Sequence, residues 1–210
     1  MIIPTSEVVA AEAELARREP ALVALMAEAG PCPIGSGRRT GSHFEALARS
    51  ITFQQLAGKA AQAIWTRARA LVEGPFTPPA VLSVGVERLR TAGLSGAKAK
   101  AIVDLADRVV MGEVKLATMS RRPEDDVVAE LSKVWGIGRW TAEMFLMFQL
   151  GRLDVWPTGD LGVRNGYGRI FGLDGPPSPV ELEDLGERFR PYRSVVAWYC
   201  WQAVDIVTPG

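Results

Sequence analysis

The chain has 210 residues, 48% of them apolar, which suffices for a substantial core in one domain or two closely packed lobes. It has no apolar run of the roughly 18 residues that a membrane span needs, and its start lacks the basic and apolar blocks of a secretion signal. Its zero net charge argues against a broad cationic DNA-binding face but permits local contacts with a few phosphates. We expect a cytoplasmic protein that does not associate with membranes.

Metal and disulfide chemistry have little support in the composition. The two cysteines, Cys32 and Cys200, are far apart, so neither a disulfide framework nor a zinc or iron–sulfur cluster is indicated. The one histidine, His43, excludes a histidine-rich metal site and is best explained as a helix-start or surface residue.

Helical periodicity runs along nearly the whole chain. Residues 6–29 predict two helices divided at Pro20, and the Gly- and Pro-rich segment 30–42 predicts a loop. Helical patterns resume from residue 43, with an interruption near Gly58. Farther along, Gly93 ends one helix and Ser95 caps the next. No long stretch alternates as a half-buried strand does, so the sequence predicts an all-α fold of about ten short helices.

Two glycines flank an isoleucine in "SKVWGIGRWTAEMF", residues 132–145. A helix over 124–133 would end here, the chain would turn through Gly136, Ile137 and Gly138, and a second helix would begin near Arg139. The first backbone N–H groups of that helix lack internal partners, and the missing Cβ atoms would let a phosphodiester approach them. As a bare pattern, the same turn also fits an ordinary helix–helix connection.

Asp160 directly precedes a helical segment in "DVWPTGDLGVRNGYGRIF". Aspartate is a preferred N-cap, which is a sufficient structural explanation. A carboxylate fixed at a helix N-terminus also suits stabilisation of an oxocarbenium-like sugar cation.

Together these features resemble the helix-hairpin-helix superfamily of DNA base-excision glycosylases, over roughly residues 44–205. The motifs are "FEALARSITFQQLAGKAA", "LSKVWGIGRWTAEMFLMFQL", "DVWPTGDLGV" and "RFRPYRSVVAWYCW". The combination looks most like the 3-methyladenine DNA glycosylase II branch, in a compact form without the N-terminal β domain of longer members. The resemblance implies two helical lobes with an active-site cleft between them. Residues 1–43 and 153–210 would form one lobe, and residues 44–152, with the hairpin at 124–149, the other.

The resemblance also implies roles for the hairpin and the aspartate. Asp160 would be the catalytic carboxylate, and the hairpin would hold the DNA backbone through Gly136, Ile137, Gly138, Arg139 and Thr141. Family members often bind a monovalent cation at the hairpin, here Na⁺ or K⁺ on the main-chain carbonyls of Ser132, Val134 and Ile137. No other cofactor is implied.

Aromatic residues are the candidates for the base pocket. Alkylation at ring nitrogens makes a base cationic, and aromatic faces attract cations by about 0.5–2 kcal/mol. Trp140 and Trp201 match the family's pocket positions, and Trp198 and Phe44 are further candidates. Core packing is the better explanation for any single one of them taken alone. Trp140 also stands where bifunctional members carry a Schiff-base lysine, so the resemblance implies a monofunctional enzyme.

Base flipping leaves a gap that a side chain must fill. The turn in "TFQQLAG" matches the family's wedge, so Gln55 or Leu56 would be inserted, although an ordinary polar turn fits equally well.

The sequence therefore predicts a monomeric, nucleoid-associated glycosylase acting on duplex DNA with alkylated bases. The first candidate substrates are 3-methyladenine and 7-methylguanine. The sequence does not decide whether the enzyme also excises 1-methyladenine, 3-methylcytosine, ethenoadenine or hypoxanthine. The alternative is a non-catalytic helix-hairpin-helix DNA-binding module.

Overall fold

The structure is a computed structural model that describes residues 5–35, 41–56 and 58–207, with the side chains described as far as residue 204. Within these ranges the fold is all-α, as predicted, with eleven α-helices and no strand. The helices are α1 (Ser6–Arg18), α2 (Val23–Ala29), α3 (His43–Phe53), α4 (Gly58–Ala70), α5 (Pro78–Thr91), α6 (Gly96–Val110), α7 (Glu124–Leu131), α8 (Arg139–Met144), α9 (Leu161–Phe171), α10 (Pro179–Gly186) and α11 (Arg193–Val207). A π-helical turn, Phe145–Gln149, continues α8.

Several local signals behave as the sequence predicts. A 3₁₀ turn that begins at Pro20 separates α1 from α2, and α3 ends before Gly58. The Ser95 hydroxyl caps α6 by accepting a hydrogen bond from the Lys98 amide at 3.3 Å. Among the described helices, none is long and apolar enough to cross a membrane.

The chain divides into two compact units. The terminal unit combines Met1–Arg38 with Leu146–Gly210, and the central unit is Arg39–Phe145. The lobes predicted from the sequence were 1–43 with 153–210, and 44–152. In the structure, both boundaries between the units fall earlier in the sequence than predicted. The second boundary lies at Leu146 because the π-helical turn packs with the terminal unit, where the ring of Phe148 stacks on Trp201.

The central unit is built around α6, which packs against α5 and α3. Its core is mainly aliphatic; the fully buried side chains include Leu47, Ile51, Ala99, Ile102, Leu105, Met119, Val127 and Leu131. The turn after α7 lies directly on this core, since a Cβ added to Gly136 would come within 3.0 Å of the Ala101 Cβ. The hairpin is therefore fixed to α6.

In the terminal unit, α9 and α11 cross at very short range. A Cβ on Gly166 would lie 1.9 Å from the carbonyl oxygen of Cys200, so only glycine permits this approach. Gly162 stands one turn earlier on the same face of α9. The N-terminal segment closes the unit: the Tyr199 hydroxyl donates to a carboxylate oxygen of Glu12 at 2.6 Å.

Candidate functional site

The hairpin turn connects α7 to α8 through residues 132–138. The amide of Val134 donates to the Leu131 carbonyl at 3.0 Å, and the amide of Ile137 donates to the Val134 carbonyl at 3.1 Å. Ile137 is 3% exposed, so its side chain anchors the turn in the core. The next helix begins at Arg139, as predicted, and the first amides of α8 have no partner within the helix.

The two glycines of this turn serve different purposes. Gly136 has a φ of +83°, and its α-carbon faces Ala101, so both the backbone conformation and the packing require glycine. Gly138 has an ordinary φ of −98° as the N-cap of α8, and a Cβ there would meet nothing within 4 Å. The packing requirement therefore lies at Gly136, while Gly138 leaves open space beside the first amides of α8.

The other two hairpin residues differ in their exposure. The Arg139 side chain is 68% exposed, with a guanidinium nitrogen 3.5 Å from a carboxylate oxygen of Glu143. Thr141 is 3% exposed, and its hydroxyl accepts a hydrogen bond from the Gln54 side chain at 3.0 Å. The Thr141 hydroxyl is therefore buried and already paired within the protein.

The predicted cation ligands, the carbonyls of Ser132, Val134 and Ile137, all belong to the turn. They offer the hard oxygen donors that Na⁺ and K⁺ prefer, and the Val134 oxygen keeps a second lone pair beyond its bond to Ile137. The residues thus fit such an ion, and the cation site stays a prediction. No cluster of His, Cys, Asp or Glu able to hold a metal occurs in the described part of the chain.

The predicted wedge lies between α3 and α4. Gln55 and Leu56 are both exposed, Leu56 by 40%, and Gln55 has a left-handed φ of +53°. A cavity of about 410 Å³ opens beside this turn, lined by Gln54, Gln55, Trp140 and Thr141. Trp140 is 44% exposed, so it is a surface aromatic next to the wedge rather than core filling.

In the terminal unit, Asp160 caps α9. One carboxylate oxygen, Oδ1, accepts hydrogen bonds from the Val163 amide at 2.9 Å and from the indole N–H of Trp201 at 3.0 Å. The structural and functional interpretations of this residue therefore coincide, because the cap fixes the orientation of the carboxylate.

Trp201 also has an aromatic neighbour. The Phe148 ring lies 6.1 Å from it, with an interplanar angle of 29°, and Phe148 is 45% exposed. The sequence analysis missed Phe148 because "EMFLMFQL" has the composition of a buried helix. The π-helical turn buries Phe145, Leu146 and Met147 but exposes the following phenylalanine, and no local signal predicts that turn.

The two remaining pocket candidates have core contacts. Phe44 is 3% exposed and its ring stacks on Phe76 at 5.8 Å, so it is a core residue of the central unit with almost no surface for a base. Trp198 is half-buried, with its ring edge-on to Tyr199 at 4.7 Å. These contacts lend no support to a pocket role for either residue.

The cysteines are not candidate nucleophiles. Both are free and fully buried. Desolvation raises the pKa of the Cys32 thiol to about 12 and also raises the pKa of Cys200, so both remain protonated near neutral pH. His43 is the first residue of α3, and its ring lies edge-on to Phe145 at 5.5 Å.

Comparison with known proteins agrees with this geometry. The family model described as "HhH-GPD superfamily base excision DNA repair protein" matches residues 48–191. The chain is 31% identical over 191 residues to the Schizosaccharomyces pombe "alkylbase DNA glycosidase-like protein mag2", which covers 89% of each chain. It is 34% identical over 162 residues to "DNA-3-methyladenine glycosylase 1" of that organism, which covers 76% of this chain and 71% of the relative.

A solved structure from the same organism, 3-methyladenine DNA glycosylase (Mag1) in complex with abasic DNA, superposes with a TM-score of 0.81. The match has 30% sequence identity and covers 94% of this chain and 97% of that one. The matched range contains the hairpin, Asp160 and the turn at Gln55 and Leu56. By these matches the chain belongs to the HhH-GPD superfamily of base excision DNA repair proteins.

Proposed function

We propose that this protein is a monofunctional DNA glycosylase that flips alkylated bases out of duplex DNA and hydrolyses their N-glycosidic bonds. The observation that carries the proposal is the fixed carboxylate of Asp160, held by the Val163 amide and by the Trp201 indole. The relatives named "DNA-3-methyladenine glycosylase 1" and "alkylbase DNA glycosidase-like protein mag2" support the substrate class. We also propose that the protein acts as a monomer in the cytoplasm.

The chemistry follows from how the bond breaks. As the base leaves, positive charge develops on the sugar, and a nearby carboxylate stabilises that oxocarbenium-like state. The cap and the indole N–H orient Asp160 before substrate arrives, so little reorganisation is needed during the reaction. Water then completes the hydrolysis.

Selection of alkylated bases would rest on aromatic surface. Methylation at a ring nitrogen leaves the purine cationic, which makes it a better leaving group and attracts it to aromatic faces. The terminal unit offers the stacked pair Phe148 and Trp201, and the central unit offers the exposed face of Trp140. An unmodified, neutral base is a poorer leaving group and is attracted less strongly to these aromatic faces.

DNA binding would use the hairpin. A Cβ at Gly138 would meet nothing within 4 Å, so a phosphate would have room to approach the start of α8, and such a local contact is consistent with zero net charge. The complex of the S. pombe relative with abasic DNA supports a DNA substrate for this chain. Gln55 and Leu56, exposed on a turn of the same unit, would fill the gap left by the flipped base.

We further propose that the enzyme has no lyase activity. By resemblance, Trp140 replaces the lysine with which bifunctional members form a Schiff base, and an indole cannot serve as an amine nucleophile. The DNA backbone should therefore stay intact after base release until heat or alkali is applied. A covalent enzyme–DNA adduct trapped by borohydride would contradict this assignment.

The direct test is base release from methylated duplex DNA by the wild type and by Asp160→Asn. The amide oxygen of asparagine can still accept the Val163 and Trp201 hydrogen bonds, so the fold should persist. Loss of the negative charge should slow release by about 10²–10³-fold. Full activity in the variant would refute the catalytic role. Tight DNA binding without base release by the wild type would instead support the non-catalytic module, and a panel of defined lesions would establish the substrate range.

A further inference from the structure

The wedge turn has a strained backbone that its own sequence does not explain. Gln55 is the one non-glycine residue with positive φ in the described ranges, at +53°. This left-handed conformation costs free energy for any residue with a Cβ, and it persists only where surrounding contacts hold it. The preceding residue, Gln54, makes long-range contacts on both its side chain and its backbone.

Gln54 is tied to the hairpin by its side chain. Its Nε2 donates to the Thr141 hydroxyl at 3.0 Å and to the Gly136 carbonyl at 3.2 Å. Gly136 lies 82 residues away in sequence and Thr141 lies 87 residues away. They are the two ends of the segment that is predicted to bind a DNA phosphate. The residue next to the wedge thus contacts both the turn and the first turn of α8.

Gln54 is tied to α6 by its backbone. The Lys98 ammonium donates to the Gln54 carbonyl at 2.6 Å and to the Thr52 carbonyl at 2.9 Å. These carbonyls lie at the C-terminal end of α3, where helix carbonyls lack internal partners. Lys98 is half-buried, and its two hydrogen bonds direct the ammonium group at the end of α3. Burial also lowers the pKa of this group.

We propose that Gln54 and Lys98 are positioning residues that hold the Gln55–Leu56 turn at a fixed place relative to the hairpin. Gripping a phosphate at α8 then places the wedge against the base stack, so that backbone binding and base extrusion occur together. The role rests on the proposed glycosylase function, because it concerns how that enzyme flips a base. Neither residue contacts the base or the sugar in this mechanism.

The test compares a paired lesion with an unpaired one. Gln54→Met and Lys98→Met keep side-chain length but remove the donors, whereas Lys98→Arg keeps a charged donor. Gln62→Met is the matched control, because it removes a Gln-to-Thr hydrogen bond of 3.3 Å elsewhere in the same unit. Each variant is assayed under single turnover on a methylated purine that the wild type releases, placed opposite its normal partner or opposite an abasic site.

An unpaired base needs less help to leave the helix, so a positioning defect should matter mainly for the paired lesion. We expect Gln54→Met and Lys98→Met to lower the ratio of paired to unpaired rates by about tenfold, as the loss of one or two hydrogen bonds implies. Lys98→Arg should restore much of that ratio, and Gln62→Met should leave it at the wild-type value. Because both rates come from one preparation, a partly unfolded variant does not change the ratio.

A ratio equal to that of the wild type in both methionine variants would overturn the positioning role, whatever their stability. A fluorescence assay separates this inference from the proposed function. 2-Aminopurine beside the lesion reports unstacking without any bond cleavage, and the methionine variants should give a smaller increase than the wild type. If the wild type releases no base, the glycosylase proposal fails, but the fluorescence comparison still decides whether Gln54 and Lys98 position the wedge.

Discussion

Replacing Gly162 by alanine should impair the proposed site while both of its side chains, Asp160 and Trp201, keep their chemical identity. A Cβ at this position would lie 2.9 Å from Trp201 Cδ1, 3.2 Å from Trp201 Nε1 and 3.0 Å from Asp160 Oδ1. The added methyl group must displace the indole or the carboxylate, and either movement breaks their 3.0 Å hydrogen bond. A hydrogen bond to a charged group contributes about 1.5–3 kcal/mol, so base release should slow by about 10- to 100-fold.

The global stability of this variant should fall by less than the lost hydrogen bond contributes, and the folded fraction can be measured separately from the rate. Alanine is favoured over glycine within a helix by up to about 1 kcal/mol, and this gain opposes the local clash. Single-turnover base release and urea unfolding measure the two quantities separately. Gly175→Ala is the control, since its Cβ would meet nothing within 4 Å. Wild-type rates for Gly162→Ala would show that the Trp201–Asp160 contact has no part in the reaction.

Two further predictions concern stability. The carboxylate of Asp154 accepts hydrogen bonds from Arg193 at 2.9 and 3.1 Å, and the Arg193 side chain is only 8% exposed. Asp154→Ala should lower the free energy of unfolding, measured in urea, by about 2–3 kcal/mol. Glu14→Ala breaks an exposed ion pair and should lower it by less than about 0.5 kcal/mol. Equal losses in the two variants would contradict this ranking. Burial raises the pKa of Cys32 from 9.0 to about 12, so the thiol loses its proton at a lower pH in the unfolded chain than in the folded one. The free energy of unfolding should therefore fall as the pH rises from about 9 towards 12. Between pH 7.5 and pH 9.5, the free energy of unfolding measured in urea should fall less in the double variant Cys32→Ala, Cys200→Ala than in the wild type. An equal fall in both proteins would refute the burial argument.

The features predicted correctly from sequence are those with short-range causes. Asp160 is an N-cap because a carboxylate accepts an amide three residues on, and Gly136 marks a turn because only glycine tolerates its φ without strain. The helical class follows from periodicity in the same way. These requirements involve a few neighbouring residues, so a single sequence displays them.

The features that the sequence could not provide depend on distant parts of the chain. Phe148 is exposed because a π-helical turn rotates the residues that follow α8, and this turn depends on packing rather than composition. The contacts of Gln54 span more than 80 residues. Phe44 illustrates a different difficulty, since an aromatic residue on an apolar helix face fits a core and a base pocket equally well until its neighbour Phe76 is known.

The discontinuous terminal unit has a consequence for the order in which a newly synthesised chain matures. All of the central unit, hairpin and wedge turn included, precedes Leu146, so it can fold while the rest is still being made. The partner that orients Asp160 lies on α11, and the Tyr199–Glu12 bond joins residues 187 positions apart. At ordinary synthesis speeds α11 follows the central unit by a few seconds. A nascent chain would therefore complete the hairpin that we propose binds DNA before Asp160, the proposed catalytic group, is held in its final orientation.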